Sequence, residues 1–240
     1  PWEVRGSVSA NVTTAVIGDL EPTTQYFFRV RAINNAGYSL YSNEAGATTM
    51  TQFTVTFQSS RGADGFVMER TEQGNIGQLA VADFTGPGAL RAGDTAANQQ
   101  YKAFVSFNTS AIPDDAIVRA AKLRLRRGMV VGTNPFWTHG LCVLDMKGGA
   151  GFSGNPVLQP SDFQAPAHQR LVGVLNNGAI SEAVIALSAI SLVNKIGVTQ
   201  FRIYFKSDDN NDRRADWVGW YSSESTEPSY CPTFEVTYWH

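Results

Sequence analysis

The chain has 240 residues, 43% of them hydrophobic and 17% charged, with a formal net charge of −2. Its length allows one large or two ordinary domains, and its apolar fraction is that of a folded chain rather than a disordered one. The near-neutral balance argues against a nucleic-acid partner gripped through its phosphates, and no apolar run approaches the roughly 18 residues of a membrane span. Pro1 is not a translation start, so a segment upstream of it is expected.

Residues 13–18 and 25–33 alternate as strands do. In the second run Tyr26, Phe28 and Val30 fall on one face and Phe27, Arg29 and Arg31 on the other. The linking Leu20-Glu21-Pro22-Thr23-Thr24-Gln25-Tyr26 resembles the E–F corner of a fibronectin type III domain. Arg31-Ala32-Ile33-Asn34-Asn35-Ala36-Gly37-Tyr38-Ser39, then Ser42-Asn43-Glu44, is similar to that family's F–G region. The resemblance implies that residues 1–50 are the C-terminal part of such a domain, serving as a spacer, with the Tyr26 hydroxyl bonded back to nearby upstream backbone. A whole domain of this type has about 90 residues and seven strands, whereas this chain begins near the fourth. Half a sandwich leaves apolar faces and sheet edges open. Either the chain is a fragment, or the second domain or another chain covers the open face.

From residue 51 to residue 240 short strand-like runs are split by Gly, Asn and Pro: 53–58, 65–70, 101–107, 121–127, 141–146, 200–205, 217–221 and 233–239. The run 180–193 is apolar, and its second half has the spacing of one short helix or turn. Many strands and few helical stretches predict an all-β domain, a jelly-roll-like β-sandwich. Ala103-Phe104-Val105-Ser106-Phe107 before Ile112-Pro113, Ala121-Lys122-Leu123-Arg124-Leu125, Gly132-Thr133-Asn134-Pro135-Phe136, Ser161-Asp162-Phe163-Gln164-Ala165, Gly197-Val198-Thr199-Gln200-Phe201-Arg202 and Pro232-Thr233-Phe234-Glu235-Val236-Thr237-Tyr238 together resemble, in order, the DNRLRE-like, disaggregatase-related β-sandwich modules of microbial secreted and surface proteins. Some members of that family are classed as carbohydrate-binding modules. The sequence departs from the family where Cys231 replaces a common arginine and where Arg213-Arg214 replaces smaller residues.

The densest polar segment is Ser207 to Glu224, with four aspartates and two asparagines between positions 208 and 216. Asp208, Asn210, Asp212 and Asp216 stand first, third, fifth and ninth, a spacing that lets side-chain oxygens converge on one calcium ion. Arg213 occupies the place of an EF-hand's glycine, so the expectation is a structural calcium loop between strands. The competing reading is a solvated polar hairpin, since Asp and Asn also favour turns. A second acidic group, Asp64, Glu69, Glu72 and Asp94, matches no motif and reads as surface charge.

Aromatic residues follow the acidic loop. If residues 217–221 form a regular strand, Trp220 shares the buried face with Val218, which leaves Trp217 and Tyr221 outward for a ligand. Phe136-Trp137, after Asn134-Pro135, is the other exposed aromatic candidate, and Arg213 and Arg214 supply hydrogen-bond donors. The only two cysteines are Cys142 and Cys231. In an oxidising compartment a bridge between them would close a loop of about 90 residues and stabilise by about 4 kcal/mol; the alternative is two free thiols. No histidine has a partner at zinc-ligand spacing and no nucleophile elbow is present, so catalysis is not expected.

The sequence thus points to a non-catalytic accessory module of a secreted, cell-surface-associated protein that binds polysaccharide or a cell-surface glycan, with a calcium-stabilised loop. The alternative is a structural or adhesive subunit of an extracellular assembly, self-associating through the incomplete fibronectin-like part.

Overall fold

The computed structural model describes residues 2–82 and 84–240, and the chain divides into two compact units, Pro1–Gln52 and Phe53–His240. The first carries β1 (Gln25–Phe28), β2 (Ile33–Asn34), β3 (Gly37–Tyr38) and β4 (Ala45–Thr48). β1 pairs antiparallel with β4, and β2 with β3. The expected strand at 13–18 does not form. Tyr26 Oη accepts the Glu21 N–H at 2.9 Å, the local bond expected at the corner. On one face the Arg29 guanidinium lies 3.9 Å from the ring centres of both Trp2 and Tyr41, and Arg31 lies 3.7 Å from that of Tyr38. Among the described residues of 2–50 none is buried, and Val4, Val16, Val30 and Leu40 are largely exposed. These strands and rings therefore surround no core of their own.

The second unit is all β. Its strands are β5 (Gln52–Gln58), β6 (Gly65–Glu69), β7 (Gly77–Ala82), β8 (Leu90–Asp94), β9 (Gln100–Asn108), β10 (Ile117–Val131), β11 (Cys142–Gly149), β12 (Gln169–Leu175), β13 (Ile180–Val184), β14 (Val198–Phe205), β15 (Trp217–Trp220) and β16 (Thr233–Trp239). A single curled sheet runs β12-β11-β14-β9-β8-β15-β10-β16-β5, with β6 and β7 branching from β9 and β13 from β10. It folds over on itself as a sandwich. Alternate residues of β9, β11 and β14 (Val105, Phe107, Leu144, Phe201, Ile203) meet those of β10, β15 and β16 (Leu123, Leu125, Trp220, Phe234, Val236) in one apolar core. Trp220 is fully buried there, and its indole N–H donates to Ser181 Oγ at 3.0 Å. Burying such a ring with its one polar atom satisfied is worth several kcal/mol; truncating it costs about 3–5 kcal/mol.

The other face of β9 and β14 is also covered. Val67, Phe104, Phe152, Leu158 and Phe163 form a second, smaller core beneath the segment that contains the 3-10 turn Pro160–Phe163. β14 is accordingly buried on both faces along nearly its whole length. The predicted helix or turn in 187–194 is a 3-10 turn, Ile190–Leu192.

Candidate functional site

At one end of the sandwich three connections meet. They are the turn after β8, the link between β10 and β11 with its short helix α1 (Pro135–Thr138), and the acid-rich loop between β14 and β15. Main-chain and side-chain bonds tie them together. The Asp94 N–H donates to the Asp216 carbonyl at 2.9 Å, and the Asp216 N–H to Asp94 Oδ1 at 3.0 Å. The Ser207 N–H donates to the His139 carbonyl, the Thr133 N–H to Asp216 Oδ1 at 2.6 Å, and the Arg213 N–H to Asn98 Oδ1 at 3.2 Å. Gly132 makes the approach possible: its φ is +66°, and a Cβ there would stand 2.1 Å from Asp216 Oδ1.

A cleft of about 340 Å³ opens at this end, lined by Glu69, Gln100, Tyr204, Lys206 and Asp208, with Gln73 and Asn75 from the β6–β7 loop. A larger cavity of about 490 Å³ lies at the opposite ends of β9 and β14, but Arg61 is its only ionisable lining residue. The smaller cleft is the better equipped chemically. Glu69 is a structural member of its wall, with Oε1 accepting the Asn75 N–H at 2.6 Å and Oε2 the Gln100 N–H at 3.1 Å.

Behind the cleft lies a buried charge network on the outer face of the sheet. Arg202 Nη2 donates to Asp145 Oδ2 at 2.6 Å, and Arg202 Nη1 donates to the carbonyls of Asp162, Phe163 and Ala165. The Tyr204 hydroxyl donates to Asp145 Oδ1 at 3.1 Å and accepts from Arg170 Nη2 at 3.3 Å. Asp145 Oδ1 also accepts the N–H of Leu171, a non-glycine residue at φ +56° on the bulge of β12. The bulge sets Arg170 over Tyr204 while leaving most of its guanidinium exposed. Lys102 Nζ lies 3.7 Å from the Phe163 ring centre and donates to the Phe163 carbonyl at 3.3 Å. Burial, and then the nearby Arg202 charge, push the Lys102 ammonium down to about 7. Charged residues inside otherwise apolar strands (Lys102, Asp145, Arg202) were the sequence signal for this network, which motif spacing does not capture.

Several expectations are corrected. Trp217 is buried, not outward, because β15 is covered on both faces: the Gly86–Gly88 turn lies flat against it, so that a Cβ on Gly219 would stand 2.7 Å from Gly88 Cα. The Arg91 guanidinium caps the Trp217 ring at 4.5 Å. Phe136 is half-buried and packs edge-on against Phe205, with ring centres 5.0 Å apart. Tyr221 is half-buried against Tyr230 at 4.8 Å. Trp137 alone of the four aromatic candidates is well exposed, at 75%. Arg213 and Arg214 are exposed on the loop.

Cys142 and Cys231 are free thiols, not a bridge. Cys142 points into the main core, where burial pushes its thiol up, whereas Cys231 lies before β16 with Sγ donating to the Ser223 carbonyl.

The four expected calcium ligands do not converge as a set. Asp216 is buried, with Oδ1 taken by the Thr133 N–H and Oδ2 by Asn210 Nδ2 at 2.9 Å. Asn210 Oδ1 accepts the Asp212 N–H and Asp212 Oδ1 the Arg214 N–H, the local turns such residues form by themselves. Asp208 lines the cleft instead. Among the described residues no three His, Cys, Asp or Glu side chains stand together in a geometry for a metal ion. The residues as spaced in the sequence therefore do not fit calcium.

The fold and its site are those of an all-β sandwich with a polar cleft at one end. No family model matches the chain. No curated protein matches it either. Among solved structures it is similar to part of a β-porphyranase of glycoside hydrolase family 86 from the human gut bacterium Bacteroides plebeius. The likeness has a TM-score of 0.32 and 12% identity, covering 89% of this chain and 30% of that one, and carries no argument about function. No helix among the described residues is long and apolar enough to cross a membrane.

Proposed function

We propose that the second unit is a non-catalytic, polysaccharide-binding module of a secreted or cell-surface protein, with the first unit as the C-terminal part of a fibronectin type III spacer. The observation that carries the reading is the placement of the exposed Trp137 ring on the end of the sandwich that holds the open polar cleft. The ring is two residues from His139, whose carbonyl holds the start of the acidic loop. An indole face stacks on the apolar face of a sugar, and the amide, phenol and carboxylate groups of the cleft suit its hydroxyls. Glu69 is committed to backbone N–H groups, which fits binding rather than acid–base chemistry. The Glu21–Tyr26 bond supports the fibronectin-like corner of the spacer.

The test is a glycan array followed by calorimetry on the best ligand. Dissociation constants of about 1 µM to 1 mM are expected, with Trp137→Ala weakening binding about tenfold while leaving the melting temperature unchanged. Retention of full affinity by that variant, or an array without hits, refutes the reading. The coreless first unit, with its exposed Val16 and Leu40, favours a second reading as a self-assembling structural or adhesive subunit. Concentration-dependent sedimentation without sugar binding would select it.

A further inference from the structure

Tyr204 joins the polar cleft to the cations behind it. Its ring lines the cleft, its hydroxyl meets Arg170 Nη2 at 3.3 Å, and Lys102 Nζ lies 5.4 Å from its ring centre. Lys102 Nζ also reaches Asn75 Oδ1, on the cleft wall, at 3.4 Å, and the exposed Lys206 is part of the lining. Among the described residues Asp145 is the only carboxylate that pairs with any of Lys102, Arg170, Arg202 and Lys206. Its oxygens are already used: Oδ2 takes Arg202 at 2.6 Å, and Oδ1 takes the Tyr204 hydroxyl and the Leu171 N–H. Arg170 Nε stays 3.9 Å from it, and the Arg170 side chain is 72% exposed. Of the acids in the lining, Glu69 is taken up by two backbone N–H groups, and Asp208 belongs to the acidic loop. The backbone that sets Arg170 in place is strained, since Leu171 holds φ +56°. Leu171 is itself 52% exposed, so its packing does not offset that strain; what the bulge achieves is the placing of Arg170 over Tyr204.

We propose that the sugar bound at this cleft carries an anionic substituent, a carboxylate or a sulfate, and that Arg170 and Lys206, on either side of Tyr204, hold it. The inference rests on the polysaccharide-binding reading above and names the class of its ligand. A guanidinium fork matches two oxygens of a carboxylate or a sulfate at once, and most of the Arg170 fork is open to receive them. The Tyr204 hydroxyl, donating to Asp145, fixes one edge of that fork before any ligand arrives. The amides of Gln73, Asn75 and Gln100 remain for the uncharged hydroxyls of the same sugar.

The experiment titrates the full chain by calorimetry with neutral, uronate-bearing and sulfated oligosaccharides of equal length at low salt. One of the two acidic sets should bind about tenfold or more tightly than the neutral set, and the set that does so names the anion. Added salt should remove most of that gain. Arg170→Gln should lose it, with the melting temperature as the check on folding, and Arg170→Lys, which keeps the charge without the fork, should recover only part. Lys102 supplies an independent signal. Its ammonium, at about 7 in the free chain, faces Arg202 on β14, Glu69 on β6, Asp145 on β11 and Arg170 on β12, and an anion beside Tyr204 draws it toward its charged form. Titrations at about pH 7.5 in two buffers of different ionisation enthalpy should therefore show proton uptake with the acidic glycan, absent in Lys102→Met. Equal affinity for neutral and acidic glycans, an acidic advantage that survives in Arg170→Gln, or acidic binding without proton uptake would overturn this inference and leave the module reading standing. Failure to bind any of the three sets would overturn both.

Discussion

Replacing Asp64 by asparagine should flatten the pH dependence of the second unit's stability between about pH 4 and pH 7. Asp64 is fully buried, with Oδ1 accepting the Ser106 N–H at 3.0 Å and Oδ2 the Ser223 N–H at 3.2 Å. Burial outweighs these hydrogen bonds and pushes its carboxyl up from 3.8 to about 7. The sign follows by linkage. Between the two values the folded chain keeps the proton that the unfolded chain releases, so the group's contribution is full below about pH 4 and is lost as pH rises through about 7. At about 1.4 kcal/mol per unit over a gap of about three units, the loss is about 4 kcal/mol. Asparagine preserves the shape but turns an N–H₂ toward one of the two amides, a constant penalty of about 1–3 kcal/mol that does not vary with pH. Urea unfolding followed by tryptophan fluorescence at pH 4 to 8 reads the effect, since Trp220 lies in the core of this unit. The difference in stability between wild type and variant should shift by about 4 kcal/mol in the variant's favour over that range. Curves that stay parallel within 1 kcal/mol would refute the reasoning.

Lys102 gives a second pH signature in a different window. Its folded value lies below the ordinary 10.5, at about 7, so its contribution is present above about pH 10.5 and is lost as pH falls through about 7. Lys102→Met should therefore gain stability relative to wild type at pH 6 and lose that advantage by pH 10, in paired denaturation curves. Arg202→Met should cost about 3–5 kcal/mol in the same assay, because it strands the buried Asp145 carboxylate that Arg202 meets at 2.6 Å. Thiol titration should find two free thiols in unreduced, unfolded protein, and in the native state Cys142 should stay unreactive until the core opens.

The strands carrying the most apolar side chains were legible from periodicity and composition, and 233–239 matches its strand end to end. β7, β8, β12 and β13 were not. β8 contains Arg91 and Gly93, and β12 begins with Gln169-Arg170, so neither shows a clean alternation. Gly93, with φ +130°, is needed because a Cβ there would meet the Asp216 carbonyl at 2.1 Å, a requirement set by a partner more than a hundred positions away. Trp217 shows the limit of parity. Alternation identifies two faces of a strand, but it cannot say that a glycine-proline turn lies over the second one.

The acidic loop shows the same limit at the level of chemistry. Spacing within one loop predicts ligands only if the loop folds around its own centre. Here Asp216 turns inward to hold the Thr133 N–H and Asn210, Asp212 closes a local turn, and Asp208 faces the cleft. The alternating pattern also skips Asp209, which with Asp216 is one of the two buried acids of the loop, and the acid that meets Asp216 is Asp94 on another strand. Asp94 had the look of surface charge because nothing near it in the chain explains it. Its burial is set by the antiparallel pairing of Gly93 with Trp217, which carries Asp94, the last residue of β8, against the backbone of Asp216. A contact divided across a sheet in this way leaves no spacing to read, and its signature is a carboxylate whose burial no local sequence requires.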